Sequence, residues 1–167
     1  MGEPGILQSA MIDDIPGLRR ILKSSRVIAV VGLSGDWYRP SYFAAKYMLE
    51  HGYTIVPVNP RYPEILGQKS YASLRDIPVR IDMVDVFRKA EDVPPIAEDA
   101  IAAGAKVLWQ QIGVRNMDAV AKAEAAGLET VVDRCVKIEH GRLFGGLNWV
   151  GVNTRVISAK RPRWLAY

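Results

Sequence analysis

The segment Val27-Ile28-Ala29-Val30-Val31, followed by Gly32-Leu33-Ser34-Gly35 and then Arg39-Pro40-Ser41, constrains this chain more than any other. It passes from an apolar strand, through a glycine turn, into the start of a helix. A continuous β-branched run suits a strand covered on both faces, which is the environment of a parallel sheet. Gly32 and Gly35 leave out side chains where the phosphates of a ligand would approach backbone N–H groups. Pro40 fits the first helical turn, where its missing N–H costs nothing, and the helix start offers unpaired donors and a partial positive charge to an anion. Arg39 adds a cation at the same place.

The rest of the chain repeats this alternation. Ile15–Ser24 places Leu18, Ile21 and Leu22 at helical spacing behind a capping Asp13 or Asp14. A helix is predicted from Pro40 to His51, with Phe43, Ala44, Tyr47 and Met48 on one face and Gly52 as its stop. Strands follow at Tyr53–Val58, Asp82–Val86, Lys106–Gln110 and Glu129–Val132, with helices at Asp92–Ala103 and Asn116–Ala126 and a short one at Arg134–Glu139. Asn59–Gln68 reads as a proline- and glycine-punctuated loop and Tyr71–Ile77 as a short helical turn. Gly145–Ala159 reads as an extended stretch packed back on the domain.

This rhythm specifies an α/β fold: a Rossmann-like, doubly wound, mostly parallel sheet with helices on both faces and right-handed crossovers. At 167 residues and 49% hydrophobic content, the chain reads as one domain, residues 1–167, able to bury a core unaided. Ligands in such folds bind beyond the carboxyl ends of the strands. That rule selects Gly32–Arg39, Asn59–Arg61, Phe87–Arg88, Gln110–Val114 and Asp133–Cys135.

The single cysteine, Cys135, excludes a disulfide framework within the chain and suits a reducing compartment. No apolar run reaches membrane-spanning length and residues 1–11 lack the pattern of a signal peptide, so the reading is a cytoplasmic protein with no membrane partner. The net charge of +4 is spread along the chain rather than packed in a block. It suits a polyanionic small molecule better than nucleic acid, for which no recognition-helix motif is present. The tail Lys160-Arg161-Pro162-Arg163 reads as a solvated terminus. Protein partners and oligomeric state are left open.

The end of the second strand narrows the nucleotide. An NAD site places an acidic residue there to bind the ribose hydroxyls, but no Asp or Glu lies between Glu50 and Glu64. The strand runs instead into Asn59-Pro60-Arg61, a cation placed where a ribose phosphate needs one. Gly32-x-x-Gly35 also departs from the dinucleotide glycine spacing. NAD therefore loses ground to NADP and coenzyme A, both of which carry a phosphate on that ribose. NADP chemistry would further require a proton donor. Tyr42 and Lys46 stand four apart, but on the helix after the phosphate loop, away from a substrate. NADP-dependent oxidoreduction and a nucleotide-sensing regulator remain the alternatives to CoA.

Several ordered motifs resemble one family: Gly32–Ser41 with its Arg-Pro-Ser ending, Val58-Asn59-Pro60, Leu66-Gly67, Tyr71-x-Ser73-Leu74-x-Asp76-Ile77-Pro78, Val86-Phe87-Arg88 and Asp133-Arg134-Cys135. Between Ile15 and Gly146 the chain looks like the small single-domain CoA-binding proteins, themselves similar to the N-terminal CoA-binding domain of the succinyl-CoA synthetase α subunit. The resemblance implies CoA or acyl-CoA as ligand. It implies pyrophosphate contacts from Gly32, Leu33, Ser34, Gly35, Arg39 and Pro40, and an adenosine site beside Asn59, Pro60 and Arg61. Phe87 and Arg88 would cover the adenine or pantetheine and face phosphate. The pantetheine would run toward Gln111, Gly113 and Cys135. Arg134 and a helix N-terminus would favour a thiolate at Cys135, against the commoner role of a lone buried cysteine as a small hydrophobe.

The synthetase carries its phosphohistidine on a further domain, whereas the resemblance here covers only the first. The two histidines of this chain read as structural, His51 at a helix C-terminus and His140 in a turn beside Gly141. No serine triad, P-loop lysine or metal-ligand spacing appears. The reading is a CoA-binding module without chemistry of its own, acting as a carrier, sensor or accessory to another enzyme.

Overall fold

The computed structural model describes residues 11–144; the expectations for residues 145–167 lie outside them. The first helix, α1 (Ile15–Ser24), starts where Asp14 Oδ1 accepts the Gly17 N–H at 2.6 Å, and it buries Leu18, Ile21 and Leu22. Strand β1 (Val27–Val31) begins against Asp82, whose carboxylate accepts the N–H groups of Arg26 and Val27 at 2.9 and 3.0 Å. Helix α2 (Pro40–Glu50) leads to β2 (Thr54–Val58). A small antiparallel hairpin, β3 (Glu64–Ile65) and β4 (Gln68–Lys69), then occupies part of the segment expected as a loop. Leu66 and Gly67, both at positive φ, turn it, as a two-residue hairpin loop requires.

The second half alternates β5 (Met83–Val86), α3 (Val93–Ala102), β6 (Val107–Gln110), α4 (Met117–Ala125), β7 (Glu129–Val131) and α5 (Val136–Leu143). Single 3₁₀ turns lie at Leu74–Asp76 and Ala90–Asp92. The five long strands form one parallel sheet in the order β2-β1-β5-β6-β7. The order reverses between β1 and β5, so the switch point where such sheets bind ligands lies at the ends of those two strands.

Strand alternation divides the core into two layers. Ile28, Val30, Met83, Val107 and Trp109 face α1, α2 and α5; Ala29, Val31, Val84, Val86 and Leu108 face α3 and α4. The sheet is thus apolar on both faces, as the hydrophobic strands implied. Among the described residues no helix is long and apolar enough to cross a membrane.

Three expectations need correction. Phe43 is 46% exposed, and the inner face of α2 is Ser41, Ala44, Ala45 and Met48. The last helix begins at Val136 rather than Arg134 and runs to Leu143, so His140 is buried within a helix instead of standing in a turn. Tyr47 Oη lies 3.0 Å from its Nδ1. Burial, and secondarily the neighbouring His51, hold its pKa down, which favours the neutral imidazole in that contact.

Candidate functional site

The carboxyl ends of the sheet open into a cleft of about 720 Å³, within the size range of small-molecule sites. Each strand end contributes one wall. Gly32 leaves β1 at φ +84° with its N–H donated to Val58 O at 3.0 Å. Asn59 and Arg61 follow β2, Phe87 and Arg88 follow β5, Gln111 follows β6, and Cys135 follows β7. Segments separated by as much as a hundred residues meet here because the parallel strands all end on the same side.

The loop between β1 and α2 is held by its own serines. Ser34 N–H donates to Ser41 Oγ, and Asp36 N–H donates to Ser34 Oγ, each at 3.1 Å. A hydroxyl that accepts a backbone bond keeps its own proton to give, and both hydroxyls belong to residues lining the cleft. Helix α2 starts there with Pro40 in its first turn and no side-chain cap from Arg39; the N–H groups of Arg39, Tyr42 and Phe43 are taken by backbone carbonyls, so the helix start offers partial positive charge and the Ser41 N–H. Around the opening stand Arg39, Arg61, Arg88 and Lys89, against one carboxylate, Asp36. Arg88 reaches Asp92 at 3.4 Å; among the described residues Arg39 and Arg61 pair with no carboxylate. The excess is cationic, which focuses an anion into the cleft.

Ten of the residues singled out in the sequence line this one cleft: Gly32, Ser34, Arg39, Pro40, Asn59, Arg61, Phe87, Arg88, Gln111 and Cys135. The other four do not. Leu33 is fully buried in the core, and its carbonyl accepts the Asn59 Nδ2 proton at 2.9 Å. Gly113 is exposed on the β6–α4 loop, its N–H donated to Asp133 Oδ1 at 2.8 Å. Pro60 lines a smaller neighbouring cavity on the α3 side of Gly32. Gly35 lies under the Tyr62 ring: a Cβ there would come within 2.6 Å of the ring carbon Cε1.

The two glycines therefore have reasons within the protein itself. A Cβ on Gly32 would sit 2.5 Å from the Phe87 carbonyl oxygen and 2.8 Å from Arg88 Cδ. Asn59 is likewise engaged at both ends, since its Oδ1 also accepts the Arg61 N–H at 3.0 Å. It ties the loop after β2 to the loop after β1 and thereby positions Arg61.

Of the two readings of Cys135, thiolate or small buried hydrophobe, the surroundings favour the second. The Arg134 side chain turns away from it, to Glu139 Oε1 at 3.3 Å and to Asp13, while Arg142 holds the other Glu139 oxygen at 2.6 Å. The backbone carbonyl of Arg134 is taken by the buried Trp109 indole N–H at 2.7 Å. Burial pushes the Cys135 thiol up, with the Asp85 charge in the same direction; the backbone N–H groups of Ile138 and Lys137 and the Lys137 charge oppose it without prevailing.

The sequence reading passed over Lys89, Tyr62 and Asp85. The first two simply follow singled-out residues. Asp85 carried a signal of its own, as the one carboxylate inside the apolar strand Met83–Val86. It is 1% exposed and accepts the Gln111 Nε2 proton at 2.6 Å. Burial, countered by that bond, pushes its carboxyl up to about 7.

Comparison with known proteins bears on this geometry. Residues 26–141 match the family described as "CoA binding domain". The Bacillus subtilis protein YneT, described only as uncharacterized, is 41% identical over 123 residues, covering 74% of this chain and 91% of that protein. A hypothetical protein from Pyrococcus horikoshii is similar in structure, with a TM-score of 0.78 and 42% identity over 87% of this chain and 100% of its own. The Archaeoglobus fulgidus acetate–CoA ligase (ADP-forming) II is 33% identical over 94 residues, which are 55% of this chain and 14% of the ligase.

Proposed function

This chain belongs to the CoA binding domain family, and from that premise we propose that its cleft binds CoA or an acyl-CoA as a module without chemistry of its own. The observation that carries this reading is the meeting, in one cleft at the switch point of the sheet, of a cation-ringed loop and a cysteine. The diphosphate would lie across Gly32, the Ser34 and Ser41 hydroxyls and the start of α2, with Arg39 and Arg88 beside it. The adenosine would lie against Asn59 and Arg61, where the acid-free end of β2 leaves room for a ribose phosphate and Arg61 supplies its cation. The pantetheine would follow the floor past Phe87 toward Gln111 and Cys135.

What CoA supplies when bound is a thiol or thioester, and this chain's own residues hold and orient it. Such a module would serve as a carrier, a sensor or an accessory to another enzyme, and its single thiol suits a reducing compartment. Calorimetry with CoA, dephospho-CoA and NADP tests the reading. Binding to CoA should be about ten- to a hundredfold tighter than to dephospho-CoA, the value of one charge-assisted contact. Equal affinities would remove Arg61 from the ribose phosphate, and preference for NADP would overturn the assignment.

A further inference from the structure

We infer that Asp85 and Gln111 form a specificity element at the inner end of the cleft: the proton on Asp85 decides whether Gln111 meets the ligand as a hydrogen-bond donor or as an acceptor, and so whether a thioester or a free thiol is preferred. The inference rests on the CoA reading above and adds to it a choice between two ligand states.

Geometry places the pair. Asp85 lies opposite Val30 of β1 and Trp109 of β6 in the sheet register. Alternation with Met83 turns it to the α1, α2 and α5 face, beneath the cleft. Gln111, one residue beyond β6, is 3% exposed yet lines the cleft. Its Nε2 is held by Asp85, and its carboxamide oxygen has no hydrogen-bond partner among the described residues. A carboxamide held from beneath by a buried carboxyl, with its other end open to a ligand site, cannot choose its own polarity. The group beneath it chooses.

With Asp85 ionised, the carboxylate only accepts, so Gln111 must give it an N–H and turn its oxygen to the ligand. That oxygen suits an amide N–H or a thiol S–H. With Asp85 protonated, the acid O–H requires an acceptor and can take the Gln111 oxygen, closing a two-bond ring. With its oxygen drawn to the acid, Gln111 presents its second N–H to the ligand, which suits the carbonyl of a thioester. Mismatch leaves a buried polar group unpaired, the costly case in hydrogen-bond selectivity.

Among the described residues the buried charges nearest on this face, Arg134, Glu139 and Arg142 at α5, pair with one another. Val30 and Trp109 flank Asp85 in the sheet, and burial and the Gln111 bond are the influences that act on it. Cys135, before α5, is the ionisable group that feels the Asp85 charge, and Lys137 on α5 acts on that sulfur. Burial holds the Cys135 thiol above its ordinary range, so it stays protonated as Asp85 titrates near neutrality.

The experiment measures affinities of the full chain for CoA and for acetyl-CoA by calorimetry from about pH 5.5 to about pH 8.5, in wild type and Asp85→Asn. The nucleotide phosphates titrate in both ligands, so the ratio of the two affinities isolates the inner end. Wild type should shift that ratio about tenfold toward the thioester as pH falls, the value of one hydrogen bond matched rather than mismatched, and Asp85→Asn should show a constant ratio. A flat wild-type ratio, or a shift that persists in Asp85→Asn, overturns the inference while leaving CoA binding intact. Failure of wild type to bind either ligand at any pH overturns the CoA reading and this inference with it. Should Asp85→Asn not fold, wild type still decides. In buffers of different ionisation heat near neutral pH, acetyl-CoA should take up more protons on binding than CoA does, and equal uptake overturns the assignment.

Discussion

The Phe87 carbonyl oxygen occupies the space that a Cβ on Gly32 would need; the two atoms would stand 2.5 Å apart. The contact joins the ends of β1 and β5, the strands between which the sheet order reverses. The glycine that opens the cleft is thus required by the protein's own backbone.

Gly32→Ala should destabilise the fold by roughly 2–4 kcal/mol, because an L side chain is strained at φ +84° and the carbonyl cannot yield as a flexible side chain would. Thermal unfolding should show a drop of roughly 5–12 °C for a chain of this size. Gly104→Ala is the control, since Gly104 shares the positive φ but, its chain neighbours aside, no atom of the described residues lies within 4 Å of its Cβ position. Equal losses at the two sites would show that strain alone, without the close approach, sets the effect.

Gly35 separates packing from ligand approach. Gly35→Ala must push the Tyr62 ring, so in a Tyr62→Ala background its effects on stability and CoA affinity should vanish. A coupling energy above about 0.5 kcal/mol between the two sites marks a direct contact. If Gly35→Ala weakens binding equally with and without Tyr62, the methyl is meeting the ligand instead.

Cys135 should be a slow nucleophile toward general reagents. With burial holding its thiol above the ordinary range, alkylation near neutral pH should lag a model thiol and accelerate as pH rises. CoA disulfide should do better than a simple aromatic disulfide, because a bound nucleotide supplies effective concentration. The Cys135 thiolate would attack one sulfur, forming the protein–CoA mixed disulfide and releasing one CoA thiolate. Intact-protein mass, with Cys135→Ser as reference, measures it; faster labelling by the aromatic reagent would place the cysteine outside the ligand's reach.

Asp85 also predicts how stability changes with pH. Its carboxyl is raised to about 7 in the folded protein, against about 3.9 in an unfolded chain. Between these values the native state binds the extra proton, so stability falls as pH rises through the window and the full loss is present above the folded value. The span corresponds to up to about 4 kcal/mol. Subtracting the denaturation curves of Asp85→Asn from those of wild type at each pH isolates it. Parallel stability profiles would show that Asp85 is already ionised in the folded protein.

The order and type of the main elements were legible in the sequence because strand and helix periodicities are set by covalent spacing. Val27–Val31 has to be a strand covered on both faces, and Leu18, Ile21 and Leu22 have to face one core, wherever they lie in space. Parallel strands separated by helices then oblige Gly32, Asn59, Arg88, Gln111 and Cys135 to gather at one end of the sheet, so the cleft could be anticipated without coordinates. What tertiary structure alone decided was the partner of each polar group. Arg134 adjoins Cys135 in the chain yet pairs with Glu139 and Asp13; Gly35 makes room for a tyrosine; Asp85 finds Gln111, 26 residues away. The β3–β4 hairpin escaped notice because two-residue strands are too short for alternation to show. Periodicity carries along a chain, whereas electrostatic and hydrogen-bond partners depend on how distant segments cross, and that is settled only when the sheet order and the two helical layers have formed.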